Sequence, residues 1–186
     1  MENPIVFAVV GLAGSGKTDA TERFIVRGFV RVGFNDSIYE ELERRGLSRN
    51  QTNERAIREG LRRDYGMGVA AVRALPRVEA YAEEGKNIVI ESLYSWSEYK
   101  IVKERFGDGF KVLAIYAPPS IRYERLGKRK IRPLSPEEAR ARDYAEIENI
   151  EKAGPIAIAD WAIRNTKSRD DFLKEVDTII DSLLAN

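Results

Sequence analysis

The chain of 186 residues contains no cysteine and no histidine. The first absence excludes disulfides and thiolate chemistry. The second excludes imidazole metal sites and an imidazole base, so any proton transfer falls to a carboxylate, lysine, tyrosine or water. Phosphoryl transfer tolerates that restriction, because it depends more on positioning and electrostatics than on a strong base. Charge of one sign is not in excess either: 31 basic residues meet 30 acidic ones, a formal net charge of +1. Nucleic-acid binding by bulk electrostatics is therefore not expected. No apolar stretch approaches membrane-spanning length, and the amino end shows no basic leader with an apolar core. These absences predict a cytoplasmic protein without membrane partners, long enough to bury one proper core.

What is present starts at residue 11. Gly11-Leu12-Ala13-Gly14-Ser15-Gly16-Lys17-Thr18 fits the phosphate-binding pattern G-x-x-x-x-G-K-[ST] and follows the apolar run Ile5–Val10. Glycines let the backbone wrap so that N–H groups face phosphate oxygens, and the helix that follows adds its positive amino end. Lys17 would reach the β- and γ-phosphates, and the Thr18 hydroxyl would ligate magnesium. Gly11, Ala13, Gly14, Ser15, Gly16, Lys17 and Thr18 thus form the expected nucleotide cradle, with ATP and Mg²⁺ as cofactors.

Downstream, apolar runs alternate with helical patterns. Strands are expected at Ile5–Val10, Phe29–Val32, Asn87–Ile90, Phe110–Ala117 and Trp161–Ile163. Helices are expected at Lys17–Val26, from near Ser37 with Asp36 as cap, at Asn50–Tyr65, Val69–Glu84 and Trp96–Phe106, and from Pro119 to about Arg125. Two more follow, one from the Ser135 capping box to about Lys152 and one from Ser168 to Leu184. The pattern implies a three-layer α/β P-loop NTPase fold, a five-stranded parallel sheet with helices on both faces. Ligands of such sheets bind beyond the strands' carboxyl ends, so Gly11–Thr18, Phe34–Asp36, Glu91–Tyr94 and Ala117–Pro119 should converge on one cleft.

The loop, the chain length and the later landmarks resemble the small P-loop kinases of the adenylate kinase and dephospho-CoA kinase group. Gly28–Asp36 is similar to the second strand of dephospho-CoA kinases, which ends in Asp-x-Asp; Phe34 stands at the first Asp and Asp36 at the second. Ile158–Asn165 resembles their last strand and its approach to the adenine pocket. An archaeal adenylate-kinase-related branch is similar at Tyr65-Gly66-x-Gly68-Val69, at Pro118-Pro119-x-Ile121-Arg122-Tyr123-x-Arg125 and at Arg142-Asp143. That branch usually carries Asp-Gly-x-Arg where this chain has Glu91-Ser92-Leu93-Tyr94. The resemblance implies a single kinase domain over 1–186 that passes phosphate from ATP to a nucleotide or nucleotide-like small molecule. It also implies an acceptor-binding helical region at about 36–84 and a lid at about 122–142.

Site expectations follow. Lys17, Asp36, Glu91, Arg129 and Arg142 are the expected catalytic set. Glu91 ends a strand beside the loop, where it either shares magnesium with Thr18, orients the acceptor, or is a plain surface carboxylate. Asp36 reads both as a helix cap and as an acceptor-side carboxylate. Arg62 is placed to fork onto an acceptor phosphate, while Arg63 points about a hundred degrees away on the same helix. Gly68 either admits the acceptor closely or separates two helices. Tyr94 is read as a wall of the acceptor-base pocket, and Trp96, Tyr99 and Trp161 as packing residues. The basic run Arg122–Arg132 reads as the lid, with the choice among Arg125, Arg129 and Arg132 open. Arg142 returns from its far side, held by Asp143. Arg125 and Asn165 are expected at the nucleotide, Asn165 near the adenine edge. Other readings are a nucleotide-responsive binding protein with weak ATPase activity, or a kinase for a non-nucleotide metabolite or an RNA end. The chain lacks the N-K-x-D pattern of a switch GTPase and is short for a motor or AAA-type ATPase.

Overall fold

Apolar residues on both faces of nearly every strand dictate a sheet buried on both sides. The computed structural model, which describes residues 4–185, shows that arrangement. Strands β1 (Val6–Val10), β2 (Val30–Gly33), β3 (Ile88–Glu91), β4 (Phe110–Tyr116) and β5 (Trp161–Arg164) form one sheet in the order β2-β3-β1-β4-β5. All four pairings are parallel, with Ala8 opposite both Ile90 and Val112. The helices are α1 (Lys17–Val26), α2 (Asp36–Arg44), α3 (Gln51–Tyr65), α4 (Val69–Glu83), α5 (Trp96–Phe106), α6 (Pro119–Gly127), α7 (Pro136–Glu148), α8 (Ala153–Ala157) and α9 (Arg169–Leu184). None of the described helices is long and apolar enough to cross a membrane.

The period-two alternation of β1 sorts its side chains between two cores. Phe7 and Val9 join Phe24 of α1 and Phe172, Val176 and Ile180 of α9. Val6, Ala8 and Val10 join Ala71, Ala74 and Val78 of α4 and Val102 of α5. A smaller cluster of Ile38, Leu42, Ile57, Leu61 and Val69 ties α2, α3 and the start of α4 into a separate arm. Local capping chemistry starts the helices where expected: Ser95 and Ser135 each close a capping box, with Glu98 and Glu138, and Asn50 and Ser168 cap α3 and α9.

Two expectations are corrected. Asp36 does not cap α2. It is the first helical residue, after Asn35, and its carboxylate accepts from the Gly33 N–H at 3.2 Å. The helix opened by Ser135 stops at Glu148, and the short α8 follows, because Gly154 and Pro155 lie in a stretch too brief for a helical period to be read.

Between α6 and α7 the chain spans 128–135, and both helices are anchored beneath it. Arg122 forks onto Asp143 through Nη1–Oδ1 at 2.8 Å and Nη2–Oδ2 at 2.6 Å, both side chains being buried. Arg122 thereby ties α6 to α7 and, through Ala13 O, to the loop after β1. Its partner is Asp143, so Asp143 does not hold Arg142 as expected. Removing one partner of such a pair strands the other charge in the interior. Asp143→Ala should lower stability by about 3–5 kcal/mol in denaturant unfolding. The double variant with Arg122→Met should recover part of the loss. A single-variant loss within about 0.5 kcal/mol, the size usual for surface changes, would contradict this assignment.

Candidate active site

The loop between β1 and α1 needs glycine for its shape. Gly14 (φ 80°) and Gly16 (φ 108°) occupy the left-handed half of backbone space, and a Cβ on Gly16 would collide with the Asn165 amide. Around this turn, four successive carbonyls are taken by side chains. Leu12 O accepts from Lys17 Nζ at 2.9 Å, and Ala13 O from Arg122 Nη1 at 3.1 Å. Gly14 O accepts from Arg125 Nη1 at 3.5 Å, and Ser15 O from Asn165 Nδ2 at 2.8 Å. Drawing these carbonyls outward leaves the opposite edge of the loop to its N–H groups. The first N–H groups of α1 have no intrahelical acceptor. The Ser15 N–H donates back to Leu12 O at 3.2 Å, and the remaining N–H groups of the turn and of the first turn of α1 form a candidate anion cradle. Asn165 braces the loop, its Oδ1 also accepting from Arg125 Nη2 at 3.3 Å.

Beside the cradle lies a knot of positive charge. Lys152, at the start of α8, is buried and donates to Glu146 Oε2 at 2.7 Å, and its ammonium sits 4.4 Å from the centre of the Tyr94 ring. Arg142 Nε donates to Glu146 Oε1 at 3.0 Å. Burial drives the Lys17 ammonium well below the usual lysine range, and Lys152, Arg142 and Arg129 push it the same way, opposed by Glu146. The Arg129 guanidinium is lowered by burial and then by Arg142. Four cations thus converge where one carboxylate answers them. Burial raises the Glu146 pKa, but Lys152 and then Arg142 outweigh it, so the group is held at about 2.

The two expected carboxylates meet at the ends of β2 and β3 through a third residue. Arg31 Nε donates to Glu91 Oε2 at 2.5 Å, while its Nη2 reaches Asp36 Oδ1 at 3.2 Å. Arg77 Nη1 lies 3.5 Å from Asp36 Oδ2. After Glu91 the chain turns through Ser92, a left-handed non-glycine residue at φ 67°. Ser92 Oγ accepts from Asn35 Nδ2 at 3.0 Å and from the Tyr94 hydroxyl at 3.1 Å. Thr18 is exposed at the first turn of α1. No cluster of three or more carboxylates builds a metal cage among the described residues.

Arg62 does face a slot, together with Asn35, Ser37 and the buried Glu98. Burial lowers its guanidinium from the usual arginine range. Arg58, one turn earlier, lines the same slot with its Nε buried and lacking a partner among the described residues. Arg63 points away and pairs with Asp64. Gly68 is explained by packing: Ile101 of α5 fills the place where its Cβ would stand. Trp96 and Tyr99 stack on each other at 5.0 Å, and Trp161 leans on Phe7, as packing residues should. From the segment between α6 and α7, Arg132 reaches across to Glu54 of α3 at 3.5 Å.

Comparison with known proteins gives this geometry a context. Residues 8–150 match the AAA_18 family, described as an AAA domain. The chain belongs to that family. A UPF0200 protein of Pyrococcus abyssi is 31% identical over 97% of either chain. Among solved structures, dephospho-CoA kinase from Campylobacter jejuni superposes with a TM-score of 0.57 at 19% identity, covering 97% of this chain and 98% of that one. Shikimate kinase from Bacteroides thetaiotaomicron superposes with a TM-score of 0.59 at 15% identity, covering 96% and 98%. The fold of this AAA_18 chain is thus that of P-loop kinases.

Lys152, Glu146, Arg31 and Arg58 are residues of the candidate site that sequence reading did not select. Arg58 carried a signal, since its spacing from Arg62 is one helical turn. The Glu146 carboxylate titrates lower in the folded chain than in the unfolded one. Its stabilisation is therefore complete above the ordinary glutamate range and fades as pH falls toward about 2. Glu146→Gln should cost about 3 kcal/mol at neutral pH. The gap to wild type in urea unfolding should narrow steadily as the medium is acidified below the ordinary glutamate range. A gap independent of pH would contradict the assignment.

Proposed function

We propose that the chain transfers the terminal phosphoryl group of magnesium-ATP to a small nucleotide or nucleotide-like acceptor. The observation that carries this reading is the gathering of Lys17, Lys152, Arg129 and Arg142 around one carboxylate at the edge of the anion cradle. Lys152 is buried while Lys17, Arg129 and Arg142 keep part of their surface in water, and an excess of cations at one edge of the loop suits a triphosphate tail and its transferring group. The N–H groups of Gly14, Ser15, Gly16, Lys17 and Thr18 would hold the phosphates. Lys17 would release Leu12 O to reach them. Arg125 would border the nucleoside, and Thr18 and Glu91 would position magnesium, which supplies charge neutralisation on the phosphate oxygens when bound.

The acceptor would enter from the arm formed by α2, α3 and α4, within about 36–84. Arg62 and Arg58 offer a two-pronged donor set to an anionic group on it. Asp36, with no better base available in a chain lacking histidine, would face the acceptor hydroxyl once Arg31 lets it go. Tyr94 would form a wall between the acceptor and Lys152. Between α6 and α7, the segment within 122–142 would act as the lid, its Arg132–Glu54 contact joining it to the acceptor arm. Closing that contact would exclude water and bring Arg129 and Arg142 onto the developing charge. The second reading, a nucleotide-responsive binding protein, is favoured by Arg31, which engages both Glu91 and Asp36 at once.

An ADP-release assay across nucleoside monophosphates, dephospho-CoA and small hydroxyl acids tests the choice. Under the kinase reading, one acceptor raises turnover well above the rate with water alone. With that acceptor, Lys152→Gln should lower kcat by about a hundredfold with little change in KM for ATP. Arg62→Ala should instead raise KM for the acceptor. ATP binding with no acceptor-dependent turnover would support the binding-protein reading and contradict the kinase.

A further inference from the structure

The edge strand β2 ends in an ion cluster whose shape depends on one missing side chain. Residues 31 and 33 share a face of the strand, and Gly33 lies opposite Glu91 in the β2–β3 register. With no Cβ at Gly33, the Arg31 side chain lies along the strand and over it. A Cβ there would collide with Arg31 Nη2 and with Asp36 Oδ1. Arg31 thus reaches two carboxylates at once, Glu91 Oε2 through Nε at 2.5 Å and Asp36 through Nη1 and Nη2 at 3.3 and 3.2 Å. The backbone beneath is tied down as well. The Phe34 N–H donates to Glu91 O at 2.9 Å, and the Gly33 N–H donates to Asp36 Oδ2 at 3.2 Å.

The cluster is closed, yet it opens at low cost. The side chains of Arg31, Asp36 and Glu91 are 39%, 21% and 32% exposed, and ion pairs that water reaches are individually weak. Release strands neither carboxylate, because Arg77 Nη1 remains 3.5 Å from Asp36 Oδ2 and Glu91 meets solvent. We propose, on the kinase reading above, that Arg31 is a positioning residue of the transfer. It keeps Asp36 and Glu91 paired until an acceptor binds, so that water is not activated in the acceptor's place. In transfer, the acceptor oxygen bonds to the γ-phosphorus as the bond from that phosphorus to the ADP oxygen breaks, and the acceptor's proton passes to Asp36. In hydrolysis, water replaces the acceptor and its proton takes the same path. A carboxylate paired with a guanidinium is the weaker base for either proton. An anionic group on the acceptor offers Arg31 a replacement partner, so the acceptor favours the open cluster and water does not.

ADP release from magnesium-ATP with water as the only nucleophile tests this, in wild type, Arg31→Met and Gly33→Ala. Gly33 is not among the glycines with positive φ, and the atoms nearest its Cβ position are the ends of two side chains, so alanine fits once Arg31 and Asp36 part. Both variants should raise acceptor-free release about tenfold with little change in KM for ATP, part of what a freed general base supplies. Arg31→Lys, whose single ammonium reaches one carboxylate at a time, should fall between. The two main variants open the cluster from different residues, so a rise in both is not the loss of one side chain's packing. The Arg31 Nε–Hε signal in NMR, assigned by its loss in Arg31→Met, reports the cluster without turnover. It should stand apart from solvent-exposed arginines in wild type and join them in Gly33→Ala. Acceptor-free release unchanged in both variants, or an Arg31 signal indifferent to Gly33→Ala, would overturn the inference and leave the kinase reading standing. No ATP turnover by any form, with or without nucleoside monophosphates, would strike the kinase reading and the role of Arg31 with it.

Discussion

The outward pull on four successive carbonyls of the phosphate loop is the constraint on which the rest of the site depends. A turn of glycines has no reason of its own to aim every N–H at one point. Here Lys17, Arg122, Arg125 and Asn165 each take a carbonyl from the loop. Three of those donors come from elements far along the chain, α6 and the end of β5. The cradle therefore exists only once the sheet has brought β1, β4 and β5 together. Asp143 stands behind it, since the fork from Asp143 keeps the Arg122 guanidinium in place in a buried setting. Fold and anion site are, in that sense, one interaction network.

The second organising feature is electrostatic asymmetry. Cations gather around Lys17, and the buried carboxylate of Glu146 pairs with two of them, Lys152 and Arg142. Glu146 pairs with both Lys152 and Arg142, at 2.7 and 3.0 Å. At the ends of β2 and β3, Arg31 bridges the Glu91 and Asp36 carboxylates, and Arg77 stands beside Asp36 as well. Each half of the cleft is thus preset with charge of one sign and latched by a residue of the other. Preset charges of this kind need little rearrangement when a ligand arrives.

Much of this could be read in the amino-acid order. The loop, the five strands and the serine-capped helices are written in short-range patterns, and their positions follow to within a residue or two. Arg62 followed from its place on α3. What could not be read depends on distance. Arg31 meets Glu91 because of the β2–β3 register, and 60 residues separate them. Lys152 sits at the head of α8, whose five residues are too few for a period. Asp143 was paired with its neighbour Arg142 on sequence proximity, whereas helix geometry turns adjacent residues about a hundred degrees apart and gives Asp143 to Arg122. Asn165 braces the loop through Ser15 O from 150 residues away, which no local pattern encodes.

Backbone amide signals of the ¹⁵N-labelled chain, followed by NMR during titration with magnesium-ATP, address the central claim most directly. The N–H groups of Gly14, Ser15, Gly16, Lys17 and Thr18 should move together and further than any others, saturating at millimolar nucleotide. If those five signals stay still while the chain remains folded, the loop is not an anion cradle and the kinase reading falls with it.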